Sequence, residues 1–262
     1  MMPESQGGAG VAGRIVARVR DVAAAARAAD VRIGLGYTAV RLDDGRTGVA
    51  YTFRHRAEGC CTIWKGGALS GAGAAELLPL LESPDPIEAA VGLACANALA
   101  NTDRPELAGG DMLEQLGLRA DDDVAMIGDF GPMLVPIRER ARSLTVVEEA
   151  GDASGASRPA DDASEVLRRS QVAIVTATAL INHTADGLLE AARECREVAL
   201  LGASTPLLAA AFEGLNVTML SGVVVREPAG VLRVVSEGGG ARQLGPYVRK
   251  VNLRLARGPR ER

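Results

Sequence analysis

Apolar positions along this chain recur in two registers, and the register changes partway. Between Val11 and Ala29 the segment is Ala-rich with Arg scattered through it. There Ile15, Val19, Val22 and Ala26 fall three or four apart, which predicts one face of a helix. From Val31 to Leu42 the pattern is β-like, the Asp-Asp-Gly at 43–45 is a hairpin turn signal, and TGVAYTFRH resumes as a strand. Residues 74–81 predict a helix, and Pro86 opens another, IEAAVGLACANALAN. The first part of the chain therefore reads helix, hairpin, helix, helix.

Beyond residue 105 short unbroken apolar runs alternate with helical patterns. The runs are VAMIGDF (124–130), LTVVEEA (144–150), QVAIVTAT (171–178), EVALLGAS (197–204) and NVTMLSGVVV (216–225). Between them lie helices predicted over PMLVPIRERARS, over SEVLRRS with Ser164 as its cap, over ADGLLEAAREC with Asn182 as its cap, and over LLAAAFEG opened by Thr205 and Pro206. A last helical stretch, ARQLGPYVRKVN, follows the Gly-Gly-Gly at 238–240, with Pro246 as an interruption. Residues 151–163 are small and polar, a surface loop. Strands that are apolar throughout, each followed by a helix, predict a parallel sheet covered on both faces. The reading is an α/β chain: a small α+β domain over 1–104 joined to a Rossmann-like domain over 105–262.

Open parallel sheets bind ligands beyond the carboxyl ends of their strands. That rule selects Gly128, Asp129, Phe130 and Gly131 after the first run, and Glu148 and Glu149 after the second. It selects Thr176, Thr178 and Asn182 after the third, and Gly202, Ser204 and Thr205 after the fourth. The glycines allow backbone to approach a ligand at a helix start, where free N–H groups attract anions, although they also serve strand-to-helix geometry alone. GDFGP is not a dinucleotide fingerprint, yet Glu148 stands twenty residues after Gly128, where a ribose-binding acid is found in such folds. Ser204 and Thr205 read either as anion-facing hydroxyls or as ordinary caps.

Composition narrows the function further. Aromatic residues make up only 3% of the chain and acidic residues outnumber basic ones, 33 to 29, so neither base stacking nor phosphate tracking is expected, and nucleic acid is excluded as a partner. The longest apolar runs fall well short of the ~20 residues that a bilayer span needs, and the amino-terminal segment has no signal-peptide pattern, so no membrane insertion and a cytoplasmic location are expected. Four cysteines, Cys60, Cys61, Cys95 and Cys195, make no disulfide framework. Adjacent Cys60 and Cys61 are candidate soft-metal ligands, with two small loop residues as the plain alternative, whereas Cys95 and Cys195 read as core fillers within helices. His55 and His183 are the only histidines and lack the short spacing of a zinc site. Lys65 is the better of two lysines for a covalent role.

In order and spacing these segments resemble a known family, that of heavy-metal chelation proteins. GLGYTAVRLDDGRTGVAYT looks like its first domain, which is similar to the amino-terminal domain of enolases, and the next helix carries Ala96, Asn97 and Ala98 where the family has an Ala- and Asn-containing motif. VAMIGDFGPML, VVEEA, AIVTATALINHT and LLGASTPL resemble its second domain, and GDFGP departs from the pattern in which an aromatic precedes the proline more directly. The resemblance implies an enolase-like domain packed on a Rossmann-like domain, with a polar cleft between them that Asn97 reaches from the first domain. It also implies a role in binding or handling a heavy-metal ion or metal complex; by residue type the candidate metal ligands are Cys60, Cys61 and Glu148. Three functions follow: a cleft that binds a small anionic ligand or metal complex, an enzyme with a nucleotide-type cofactor in the same cleft, and a non-catalytic metal-handling partner of a transporter. A homo-oligomer is compatible with each.

Overall fold

The computed structural model describes residues 10–56, 63, 66–148 and 158–256. Helix α1 (Val11–Ala23) turns Ile15, Val16, Val19 and Ala23 inward. Its amino end has no side-chain cap of its own, and Asp186, far along the chain, accepts from Val11 N at 3.0 Å instead. Strands β1 (Ala28–Ile33), β2 (Tyr37–Leu42) and β3 (Thr47–Tyr51) form an antiparallel sheet in the order β1-β2-β3. The single β-like run expected over 31–42 is thus two strands broken at Gly34–Gly36, where backbone of Val235 and Gly239 approaches too closely for any side chain. A short helix α2 (Ala74–Leu77) runs on into a 3-10 turn, and α3 (Pro86–Ala100) follows, with Asp85 Oδ1 accepting from Ile87 N at 2.8 Å.

Helix α3 is apolar on all sides because it is enclosed on all sides, buried at every position from Ala89 to Ala100. It lies against β2 and β3 so closely that a Cβ on Gly48 would stand 2.2 Å from Ala94 O, so only glycine fits there.

The second part opens with α4 (Met112–Leu116). It continues as β4 (Asp123–Ile127), α5 (Gly131–Arg140), β5 (Ser143–Glu148), the two-residue β6 (Arg158–Pro159), α6 (Ala163–Arg169), β7 (Val172–Thr176), α7 (Ala185–Ala191), β8 (Glu197–Leu201), β9 (Met219–Val225), α8 (Pro228–Ser236), α9 (Ala241–Leu244) and β10 (Val248–Arg254). Among the described residues the sheet order is β10-β9-β8-β7-β4-β5-β6, parallel except for β10. The fold class is the expected one, an α/β chain with a small antiparallel sheet and a mostly parallel, Rossmann-like sheet.

Four local expectations are corrected. VRKVN lies in the antiparallel strand β10, not in a helix: α9 stops at Leu244, a 3-10 turn at Gly245–Tyr247 contains Pro246, and the residues that follow complete the edge beside β9. Thr205 and Pro206 open no helix: Thr205 N bonds Gly202 O in a turn, and the next helical residues are a 3-10 turn at Ala209–Phe212. The caps are shifted, with Asp162 preceding α6 and Thr184 preceding α7, so Ser164 lies inside its helix and Asn182 upstream of the next. Cys195 lies after α7, where its Sγ faces Ser170 O at 3.2 Å.

One apolar cluster runs through α1, α3, the small sheet and one face of the large sheet, from Ile15 and Leu93 to Val175 and Leu200. A second fills the other face beneath α4 and α5, and a third joins β2 and β3 to β9 and α8. At the amino edge of the large sheet, buried Asp122 accepts from Arg196 Nη2 at 2.5 Å and buried Glu197 accepts from Arg254 Nη2 at 3.0 Å, so the charges there are paired with one another. Among the described residues no helix is long and apolar enough to cross a membrane.

Candidate functional site

Chain order sets the place to look. From β4 the chain passes to β5 and β6 on one side and then returns to β7 on the other, giving the order third, second, first, fourth, fifth, sixth for β6, β5, β4, β7, β8 and β9. In a sheet wound this way the crevice opens at the carboxyl ends of the two strands between which the winding reverses, here β4 and β7.

β4 ends in Gly128, whose φ of +92° belongs to the left-handed region. Gly128 N donates to Val147 O at 2.8 Å, and Asp129 N donates to Glu148 Oε1 at 2.6 Å, so the carboxylate at the end of β5 holds the turn after β4. Asp129 itself is exposed. Phe130 precedes α5, which has neither a side-chain cap nor an acid in its first turn. Pro132 has no N–H and Met133 N donates to Phe130 O at 2.7 Å, so the Gly131 N–H and the positive dipole end are what the start of α5 presents.

Across the crevice, Thr176 ends β7 and accepts from Thr178 N at 3.3 Å, with the two hydroxyls 3.0 Å apart. A Cβ on Gly128 would lie 3.0 Å from Thr176 Cβ, and one on Gly202 would lie 4.0 Å from Phe130 Cε1. Gly128, Asp129, Phe130, Glu148, Thr176, Thr178 and Gly202 are thus gathered at one edge.

Four other candidates make hydrogen bonds away from that edge. Asn97 is 1% exposed, and its Nδ2 donates to Val49 O at 2.9 Å and to Ser204 O at 3.0 Å. Ser204 is 2% exposed, and its Oγ accepts from Tyr51 N at 2.9 Å. Thr205 is wholly buried, with its carbonyl taken by Asn101 Nδ2 at 2.9 Å. These three residues brace the small sheet and α3 against the turn after β8. Asn182 Oδ1 accepts from Thr184 Oγ1 at 2.8 Å and shapes the turn before α7. Beside it His183 has a φ of +59°, and its Nε2 is 2.7 Å from Ser83 O.

Asn101 does as much bracing as Asn97, accepting from Leu207 N at 2.7 Å, and was not singled out. The signal was present, since two asparagines four apart in an otherwise apolar helix share one face. Aromatic clustering was also missed: Tyr37, Tyr51, Phe53 and His55 stack edge to face in series, with centroids 6.0, 5.1 and 5.5 Å apart. Burial, with Tyr51 beside it, pushes the Tyr37 phenol up to about 12.

Cys60, Cys61, Lys65 and Glu149 lie outside the described residues. Among the described residues no group of three or more His, Cys, Asp or Glu side chains is placed to hold a metal ion. Soft metals are held by thiolate or imidazole. The edge offers instead hydroxyl and backbone N–H groups, which suit an anion or the organic part of a metal complex, while the Glu148 carboxylate is engaged by Asp129 N.

Two solved structures share this architecture. A protein of unknown function from the DUF364 family of Pyrococcus horikoshii superposes with a TM-score of 0.83 at 21% identity, over 94% of this chain and 100% of its own. Another from the same family, of Desulfitobacterium hafniense DCB-2, gives 0.76 at 20% identity, over 91% and 98%. At these identities the likeness is one of fold. No curated protein matches the sequence. Two family models match it, over residues 17–100 and 111–254, and both carry the description "Putative heavy-metal chelation". Since the second model alone spans more than half of the sequence, the chain belongs to that family.

Proposed function

We propose that this protein binds a small anionic ligand, or a metal complex carried by such a ligand, in the crevice between the ends of β4 and β7. On this reading it does so in the cytoplasm, with two units meeting near residue 104. The observation that carries the proposal is the contact of Gly128 with Thr176 directly before the uncapped start of α5. The Gly131 N–H and the positive end of α5 receive the anion. Thr176 and Thr178 supply hydroxyls, and Glu148 holds the turn in shape through Asp129 N. The metal enters as part of the ligand and keeps its own chelator.

The test is elemental analysis and native mass spectrometry of protein purified without chelator or affinity metal, followed by titration of whatever small molecule is released. Glu148→Ala is expected to weaken its binding about tenfold while the protein stays folded. Unchanged affinity in that variant would sink the crevice as drawn.

A second reading, an enzyme with a nucleotide-type cofactor, is favoured by one observation. Glu148 closes the strand after the glycine turn and touches that turn, as a ribose-binding acid does. A nucleotide spectrum in the released fraction supports this reading over the first.

A further inference from the structure

A pocket of about 320 Å³ lies away from the β4–β7 crevice, between the β2–β3 turn, the end of α3 and the end of β9. β8 and β7 separate β9 from β4. The lining includes Arg46, Thr47, Asp103 and Arg226. Asp103 Oδ2 pairs with Arg226 Nη1 at 2.7 Å, and its other oxygen takes Arg249 Nη2. The hydrogen bond from Arg249 holds the Asp103 carboxyl below the usual carboxylate range, so Asp103 stays ionised and fixes both guanidiniums at the pocket wall.

Arg249 Nε and Arg41 Nε are buried, and neither has a hydrogen-bond partner among the described residues. Arg41 stands directly opposite Thr47 in the β2–β3 ladder, so the two side chains share a face of that sheet. The charged residues of the lining are Arg46, Asp103 and Arg226, joined by Asp44, 2.7 Å from Arg46 Nε, and by Arg249 through Asp103. Three guanidiniums thus meet two carboxylates, one positive charge in excess, in a chain whose net charge is −4. Buried donors without acceptors are costly, and guanidinium forks fit the oxygens of carboxylate and phosphate.

We infer that this pocket is a second binding site, for the carboxylate or phosphate group of a small molecule, held between Arg46 and Arg226. Asp103 is the positioning residue of the site. Thr47, with its hydroxyl turned to Gly45 O, forms the floor.

The full-length protein is titrated by calorimetry with inorganic phosphate and, separately, with citrate, at constant ionic strength. Saturable binding of either is expected. Arg226→Gln and Arg46→Gln should each weaken it about tenfold. Tighter binding of phosphate assigns the site to a phosphoryl group, and tighter binding of citrate assigns it to a carboxylate. Arg226→Lys, which keeps the charge and loses the fork, is expected to fall between wild type and Arg226→Gln, and it serves in place of Arg226→Gln should that variant not fold. No saturable binding of either probe, or binding unaltered by both Arg46→Gln and Arg226→Gln, overturns the inference.

Discussion

Gly128 and Thr176 end neighbouring strands and touch: a Cβ built on Gly128 would meet Thr176 Cβ at 3.0 Å and Thr176 Cγ2 at 3.1 Å. Gly128 also has a φ of +92°. Gly128→Ala therefore adds a crowded methyl to a strained backbone and is expected to cost about 1–3 kcal/mol in urea unfolding. Thr176→Ser in the same chain removes the Cγ2 contact and should recover only part of the loss. Full recovery would show that the backbone conformation carries no cost.

Asn97 ties three segments together. Asn97→Ala leaves Val49 O and Ser204 O buried without their donor and should destabilise by about 2–4 kcal/mol. Ser204→Ala removes only the acceptor of Tyr51 N and should cost about 1 kcal/mol. If Asn97→Ala unfolds at the same urea concentration as wild type, the brace is not a stabilising one.

Asp123 gives stability a dependence on acid. Hydrogen bonds from Arg142, then from Ser143, hold its carboxyl down to about 2. A carboxyl depressed in the folded state stabilises above its unfolded value of about 3.9 and loses that stabilisation as pH falls through the folded value. Asp123→Asn should therefore lower stability at neutral pH, and the gap should close between about pH 4 and pH 2. Arg142 is exposed and solvent screens the pair, so the gap is expected to be no more than ~1 kcal/mol. A gap that persists at pH 2 would point to packing instead of charge.

Burial sets thiol chemistry. It pushes the Cys95 thiol up to about 12 and, together with Glu194, the Cys195 thiol up to about 11. Alkylation at pH 8, read by peptide mass spectrometry, should leave both unmodified in the native protein and modify both in urea. Native labelling at Cys95 would contradict its burial.

Much of the fold was legible because its strands are apolar runs bounded by glycine, acid or hydroxyl residues, and because Pro86 and Asp85 mark the start of α3 plainly. The failures have local causes. LLAAAFEG has helical composition, but the turn at 202–205 is tied to α3 through Asn97 and Asn101, and that tertiary restraint overrides propensity. YVRKVN alternates weakly, and its strand character comes from pairing with β9, a long-range partner invisible in a local window. At the crevice, strand ends could be read directly, which is why Gly128, Glu148 and Thr176 could be placed at one edge. Which neighbour a polar residue bonds depends on segments distant in sequence, and so the hydrogen bonds of Asn97, Ser204 and Thr205 to the small sheet and α3 could not be read. The arginine-lined pocket was not legible at all, since Arg46, Asp103 and Arg226 share no local spacing.

The asparagine brace also bears on how the chain reaches its fold. The bonds from Asn97 to Ser204 and from Asn101 to Thr205 and Leu207 each join residues more than one hundred positions apart. Such contacts carry a high loop-closure cost and form late. On a ribosome, α3 emerges long before the turn that completes its bonding, and although Asn97 can reach Val49 O early, its bond to Ser204 and those of Asn101 wait until the chain has been made past β8. The helix at the centre of the molecule is therefore among the last parts to be sealed, and a nascent chain halted before residue 205 exposes an apolar helix that a chaperone would recognise.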